Sequence, residues 1–287
     1  MKKLTKQEKK REKRNFRQAM ARELREHRSS FIVFYTLRIL VLVALVRQIM
    51  LHNYEGAFFC VLTIVLLYIP SWLQVKLHIE LPPALEITIL CFIFAAEILG
   101  EVNAFYVNVP NWDTMLHTLN GFLAAAVGFS MVLLLNDDER LTFDLSPFFL
   151  ALVAFCFSMT IGVLWEFFEF GMDRLFRMDM QKDTIITWIA STEFDPTRSN
   201  TAVVIDGIRE TLVNGSPLPV EGYLDIGLID TMADMFVNFI GAVVFSVIGF
   251  FYVKHRGEGR IARHFIPVLS KTKDQTAQEE SPENPEQ

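Results

Sequence analysis

Three cysteines in 287 residues, with no CxxC and no Cys/His pairing, exclude a disulfide framework and a thiolate metal site. Cys60, Cys91 and Cys156 all fall inside apolar runs, where a thiol acts as a small hydrophobe. The chain also lacks a glycine-rich phosphate loop and any internal repeat. Charge of one sign is missing locally: 101–112 has no Lys or Arg, whereas residues 1–28 hold twelve Lys/Arg against four Glu. The totals, 52% hydrophobic and 21% charged with a net charge of -6, are close to those of an average domain. Their distribution is not.

What is present is a set of six long apolar blocks, at 31–51, 56–72, 84–100, 114–135, 147–170 and 231–253. Each has the length a helix needs to cross a hydrocarbon core about 30 Å thick at roughly 1.5 Å per residue. The pattern excludes a soluble enzyme and a disordered chain. It predicts an all-α integral membrane protein, a bundle of about six transmembrane helices with a small extracytoplasmic cap between the fifth and the sixth. The first block is too long for a signal-peptide core and has no small-residue cleavage site behind it, so no processing is expected.

Basic residues near spans are retained on the cytoplasmic side. Residues 1–30 are therefore expected to be a cytoplasmic basic helical segment, 31–253 the transmembrane domain, and 254–287 a cytoplasmic tail, disordered after about 270. Both termini face the cytoplasm in this reading, and the protein sits in the plasma membrane. Phe16, Met20 and Leu24 form a narrow apolar stripe among the basic side chains of 1–28, suited to anionic inner-leaflet lipids, although a plain topology anchor explains the same charge. No nucleic-acid partner is expected, since Phe16 is the one aromatic residue interleaved in the basic run. The insertion at about 171–229 is too long for an idle loop. Turn signals in EFDPTRSN and NGSPLPVEG mark it as a cap of short helices or strands.

Charge is costly in hydrocarbon, so ionisable residues within spans carry the most information. In NWDTMLHTLNGF, Asp113, His117 and Asn120 share one helical face; in GVLWEFFEFGMDR, Glu166, Glu169 and Asp173 do; in LIDTMADMFVNFIGA, Asp230, Asp234 and Asn238 do. The expected topology puts the three stripes at the same outer level, together with Glu97, Glu101 and Arg47. The carboxylates Asp113, Glu166, Glu169, Asp230 and Asp234 cannot all ionise beside His117 without a counter-charge. They bind a cation, share protons, or pair with Arg47 and Arg174 turned inward. A divalent ion taken by oxygen ligands and one imidazole would be Mg, Mn, Ca or Zn, and Glu166 or Glu169 would serve as the base for an activated water. Plainer roles compete: Asp113 and Asp230 as N-caps, Asp173 as a solvated acid, and Asn120 and Asn238 as interhelical hydrogen-bond partners. Arg38 would snorkel or pair with Glu86. Small residues at Gly121, Ala124, Ala125 and Gly128, and at Gly241, Ala242 and Gly249, suggest close packing of the fourth and last spans.

The series D-x3-H-x2-N-G, E-x2-E and D-x3-D-x3-N-x2-G-A resembles the VanZ-like bacterial membrane proteins, and most closely the YjdF-type inner-membrane proteins, over about residues 84–252. The resemblance implies a bacterial multi-pass envelope protein of largely undefined activity, and it carries over Asp113, His117, Gly121, Glu166, Glu169, Asp230, Asp234, Asn238 and Gly241. Residues 1–28 and the long insertion depart from the pattern and inherit no role. Three functions stay open: a metal-dependent activity on envelope or lipid-linked substrates, a proton- or cation-coupled transporter or channel, and a non-catalytic envelope scaffold. Oligomeric state is not legible.

Overall fold

The computed structural model describes residues 28–77, 79–136, 145–255, 262–266 and 268–269. The basic segment before residue 28 and the tail after 270, with the lipid-surface and disorder expectations that fall on them, lie outside the described residues. Eight α-helices lie among the described residues: α1 (Arg28–Met50), α2 (Tyr54–Leu66), α3 (Ile69–Leu77), α4 (Pro83–Phe94), the short α5 (Phe105–Asn108), α6 (Trp112–Asn136), α7 (Pro147–Phe176) and α8 (Leu228–Lys254). Among the described residues, five helical stretches are long and apolar enough to cross a membrane: Ser29–Met50, Tyr54–Trp72, Trp112–Leu133, Pro147–Phe176 and Leu228–Lys254. The third apolar block differs from a regular span, because α4 passes directly into a π-helix over Ala95–Val102.

Local chemistry explains the boundaries. Asn53 caps α2 by accepting from the Gly56 N–H at 3.1 Å. Ser146 caps α7 ahead of Pro147, whose missing N–H would have had no partner there. Arg177 ends α7 in the left-handed conformation. Within the helices, Thr63, Thr88, Thr118, Ser130 and Thr160 return their hydroxyls to the carbonyl four residues back, which spares an apolar medium a lone donor.

The helices pack as two groups. Leu37, Val41, Cys60, Leu67, Leu90 and Ile98 join α1, α2, α4 and the π-helix. Ala125, Ala126, Phe129, Leu150, Ala154, Ala242 and Phe245 join α6, α7 and α8. Leu81, Leu85 and Leu123 connect the two. Outward faces stay apolar and exposed, as at Ile39, Val43, Phe148, Phe167 and Val247, the arrangement expected of helices solvated by lipid.

Between α6 and α8 the backbones nearly touch. A Cβ on Gly121 would stand 2.1 Å from the Asn238 carbonyl oxygen, and one on Gly241 2.1 Å from that of Thr118. Ser158 of α7 donates to the Gly121 carbonyl at 2.7 Å, locking the third helix to the same crossing. Arg38 does not reach Glu86. Its guanidinium lies over the Tyr68 and Phe34 rings and donates to the Tyr68 hydroxyl, while Glu86 accepts from Gln74 at 3.2 Å.

The segment between α7 and α8 is built of two-stranded antiparallel ladders. β2 (Ile185–Ile186) pairs with β7 (Tyr223–Leu224), β3 (Trp188–Ser191) with β4 (Val203–Asp206), and β5 (Leu212–Val213) with β6 (Ser216–Pro217). Asn214 and Gly215, both at positive φ, make the last of these a tight hairpin. The turn after β3 is organised by Asp195, which accepts from the side chains and backbone N–H groups of Thr197 and Ser199, and these bonds hold its carboxyl below the usual carboxylate range. A further ladder pairs β1 (Ile79–Glu80) with β8 (Val268–Leu269).

Candidate functional site

At the end of the three-helix group where α6 and α8 begin and α7 ends, four carboxylates surround one imidazole. His117 sits one turn into α6, with Asp113 four residues before it on the same face. Its Nε2 lies 3.4 Å from Asp113 Oδ1 and 3.9 Å from Asp234 Oδ2, and its Nδ1 lies 3.7 Å from Glu166 Oε1. Glu169, one turn beyond Glu166, turns inward as well. The ring therefore stands between two sets of acids. Ligand atoms of Asp113, His117 and Asp234 fall within 4.8 Å of one another, and so do those of His117, Glu166 and Glu169.

All of the cluster except Asp113 is closed off from solvent. His117 and Glu169 are 7% exposed, Glu166 4% and Asp234 3%. Glu166 Oε2 and Asp234 Oδ2 are buried with no hydrogen-bond partner, although a buried carboxylate oxygen normally has one. The expected arginine partners are elsewhere: Arg47 is exposed, and the exposed Arg174 guanidinium lies 5.5 Å from the Phe170 ring centroid. Among the described residues, the ion pairs of Asp113, Glu166 and Asp234 are all with His117.

The three stripes do not act as units. Asp230 and Asp173 leave the imidazole and hold the segment that follows α7. Asp173 accepts from the N–H groups of Met180 and Gln181 at 2.6 and 2.9 Å, so it is not simply solvated. Asp230 accepts from the Lys182 N–H at 2.7 Å. Neither Asp113 nor Asp230 is an N-cap: α6 starts at Trp112, and α8 starts at Leu228 behind Gly227 in the left-handed conformation, so both acids lie inside the first turn. Asp225 performs the terminal role for α8, accepting from Ile229 N–H and Thr184 N–H at 2.7 Å each. Asn120 donates to Asn238 Oδ1 at 3.2 Å across the α6/α8 crossing, forming the floor of the cluster.

Several supporting residues were not expected. Trp165 Nε1 donates to Glu169 Oε1 at 2.9 Å, a contact that its four-residue spacing on one face could have signalled. Gln181 donates to the Thr231 hydroxyl, and Thr231 neighbours Glu166. Tyr106 fills the space beside Gly100, where a Cβ would come 2.3 Å from its ring. Burial raises its phenol above the ordinary range, and the nearby Asp113, Glu101, Glu97 and Glu169 push it further, so it stays a neutral O–H at the edge of the cluster. Glu97, on the π-helix, has a buried oxygen without a partner, whereas Glu101 is exposed. No periodicity foretells a π-helical turn.

One imidazole flanked by buried carboxylates with unfilled oxygens offers a cation mixed nitrogen and oxygen ligands. No curated protein and no solved structure matches the chain. A family described as "Predicted membrane protein (DUF2238)" matches residues 33–255, which takes in α1 from its second turn, the whole acidic cluster and the end of α8. The chain therefore belongs to this family of membrane proteins.

Proposed function

We propose that the protein is a bacterial multi-pass membrane protein that holds a divalent cation in the cluster around His117 and uses it to activate water toward envelope or lipid-linked substrates. The observation that carries this reading is the buried Glu166 Oε2, which has no hydrogen-bond partner although Glu166 lies beside the ring. One imidazole cannot offset four carboxylates of which three are buried, and a cation beside them offsets the remaining cost. The family supports a membrane setting, and the envelope follows only from the VanZ-like resemblance of the sequence. The concentration of Lys and Arg in 1–28 supports cytoplasmic termini, with Pro83–Val102 as the third of six crossings and the cluster on the outer side.

The transporter reading needs a polar path beyond the cluster. Below Asn120 and Asn238 the core is Ala125, Phe129, Ala242 and Phe245, all fully buried. Ser130 and Ser158 spend their hydroxyls on carbonyls, and Ser246 is a lone hydroxyl among apolar neighbours. A pure scaffold accounts for Asp173, Asp225 and Asp230, which hold backbone N–H groups, but not for Glu166 Oε2, which is buried with no hydrogen-bond partner.

Metal analysis of the purified protein tests the proposal. About one divalent ion per chain is expected in the wild type, and none in a Glu166→Gln/Asp234→Asn variant that elutes as folded protein. Equal, negligible metal in both would end the proposal.

A further inference from the structure

Resting on the cation reading, the ring geometry decides which acids are ligands and which ion they suit. A neutral imidazole has one lone pair, so only one nitrogen of His117 takes the ion while the other carries a proton and needs an acceptor. The Nε2 side holds the shorter contact, 3.4 Å to Asp113, whose side chain is 28% exposed. Asp113 lies four residues before His117 on the same helix, placed to accept the ring N–H and fix its orientation. The Nδ1 side holds Glu166, Glu169 joins His117 and Glu166 in a set of ligand atoms within 4.8 Å of one another, and all three residues of that set are more than nine-tenths buried.

Each residue of this set also has a neighbour that orients it. Trp165 holds one oxygen of Glu169, leaving the other free. Thr231, itself held by Gln181, adjoins Glu166. Asp113 faces the far nitrogen of His117. Such outer support is characteristic of metal ligands. The set supplies one nitrogen and two carboxylates of which one oxygen is already engaged. Ca2+ takes about 6–8 oxygens and Mg2+ a near-ideal octahedron, more than this set provides, whereas Zn2+ accepts about three protein ligands with one position left open.

We propose that His117 Nδ1, Glu166 and Glu169 are the ligands of a Zn2+-class ion with an open coordination position, and that Asp113 is the residue that positions the ring. Glu166 and Glu169 then act as ligands rather than as the free base, and Asp234 is left as the unligated carboxylate.

The test uses the full chain in detergent, stripped with chelator and titrated with Zn2+ alone, then challenged with excess Ca2+ or Mg2+. One Zn2+ per chain, not displaced by either competitor, is expected. Glu169→Gln and Glu166→Gln should each weaken binding by more than about 100-fold, and Asp113→Asn by about 10–100-fold with the stoichiometry kept. In 15N-histidine spectra, assigned by difference from His117→Gln, Zn2+ should shift Nδ1 of His117. That spectrum is read on the wild type, and only the assignment of its His117 signals uses the His117→Gln variant. A shift at Nε2, displacement by Ca2+, or loss of binding in Asp113→Asn with Glu169→Gln intact would overturn this assignment and leave the cation reading standing. A wild type that takes no Zn2+ and contains no other ion would sink both.

Discussion

A methyl group on Gly121 would have to enter space held by the Asn238 carbonyl, 2.1 Å from where its Cβ would stand, and the same holds for Gly241 against Thr118. These obstacles are backbone atoms, which cannot swing aside as a side chain can. Gly121→Ala or Gly241→Ala should therefore destabilise the protein by about 1–3 kcal/mol, the usual cost of overpacking, and push α6 and α8 apart next to His117. Gly171→Ala, with nothing within 4 Å of the new methyl, should be neutral or slightly stabilising. Thermal melts of the three variants in one detergent make the comparison; a Gly121→Ala melting point equal to that of Gly171→Ala would refute the close crossing. The small-residue pattern was readable in the sequence because glycine in an apolar helix has few other uses. That Gly162 and Asn238 also meet was not, since it depends on the rotation of α7 about its axis.

Successive N–H groups of the segment after α7 end on carboxylates rather than on a sheet. Met180 and Gln181 donate to Asp173, Lys182 to Asp230 and Thr184 to Asp225. Hydrogen bonds to a charged acceptor contribute about 1.5–3 kcal/mol each, so this strap is held by three side chains at two helix ends. Asp173→Ala should raise amide exchange at Met180 and Gln181 by at least about tenfold while exchange in the middle of α7 stays unchanged. Unaltered exchange at 180–181 would mean that the strap is held by other contacts. Periodicity placed Asp173, Glu166 and Glu169 on one face and Asp230 with Asp234 on another. It could not divide them, because positions three to seven residues apart span enough arc and rise for one end of a stripe to face the strap and the other the ring.

Across the whole molecule, the polar end of the three-helix group sits above a core of fully buried Ala125, Phe129, Leu150 and Phe245. Aromatic rings close it: Phe122 meets Phe245 edge-on at 5.1 Å, and Phe129 meets Phe245 at 6.0 Å. A chain with this plug should not carry a proton or metal current. In proteoliposomes, flux is expected at the level of empty vesicles for both the wild type and Asp234→Asn; flux in the wild type that Asp234→Asn abolishes would restore the transporter reading.

The helical membrane architecture followed from the sequence by itself, because an apolar run long enough to cross hydrocarbon must satisfy its own backbone hydrogen bonds and only a helix does so within one segment. The three polar stripes followed from the same periodicity. Only the tertiary structure decided which acids meet at His117. The α6/α8 crossing at Gly121 and Gly241 sets the depth and rotation of the helices, and this turns Asp113, Glu166, Glu169 and Asp234 toward the ring and gives Asp173 and Asp230 to the strap. It also decided the π-helix at Ala95–Val102 and the place of Tyr106, since these arise from packing between helices, which the pattern along any one of them does not encode.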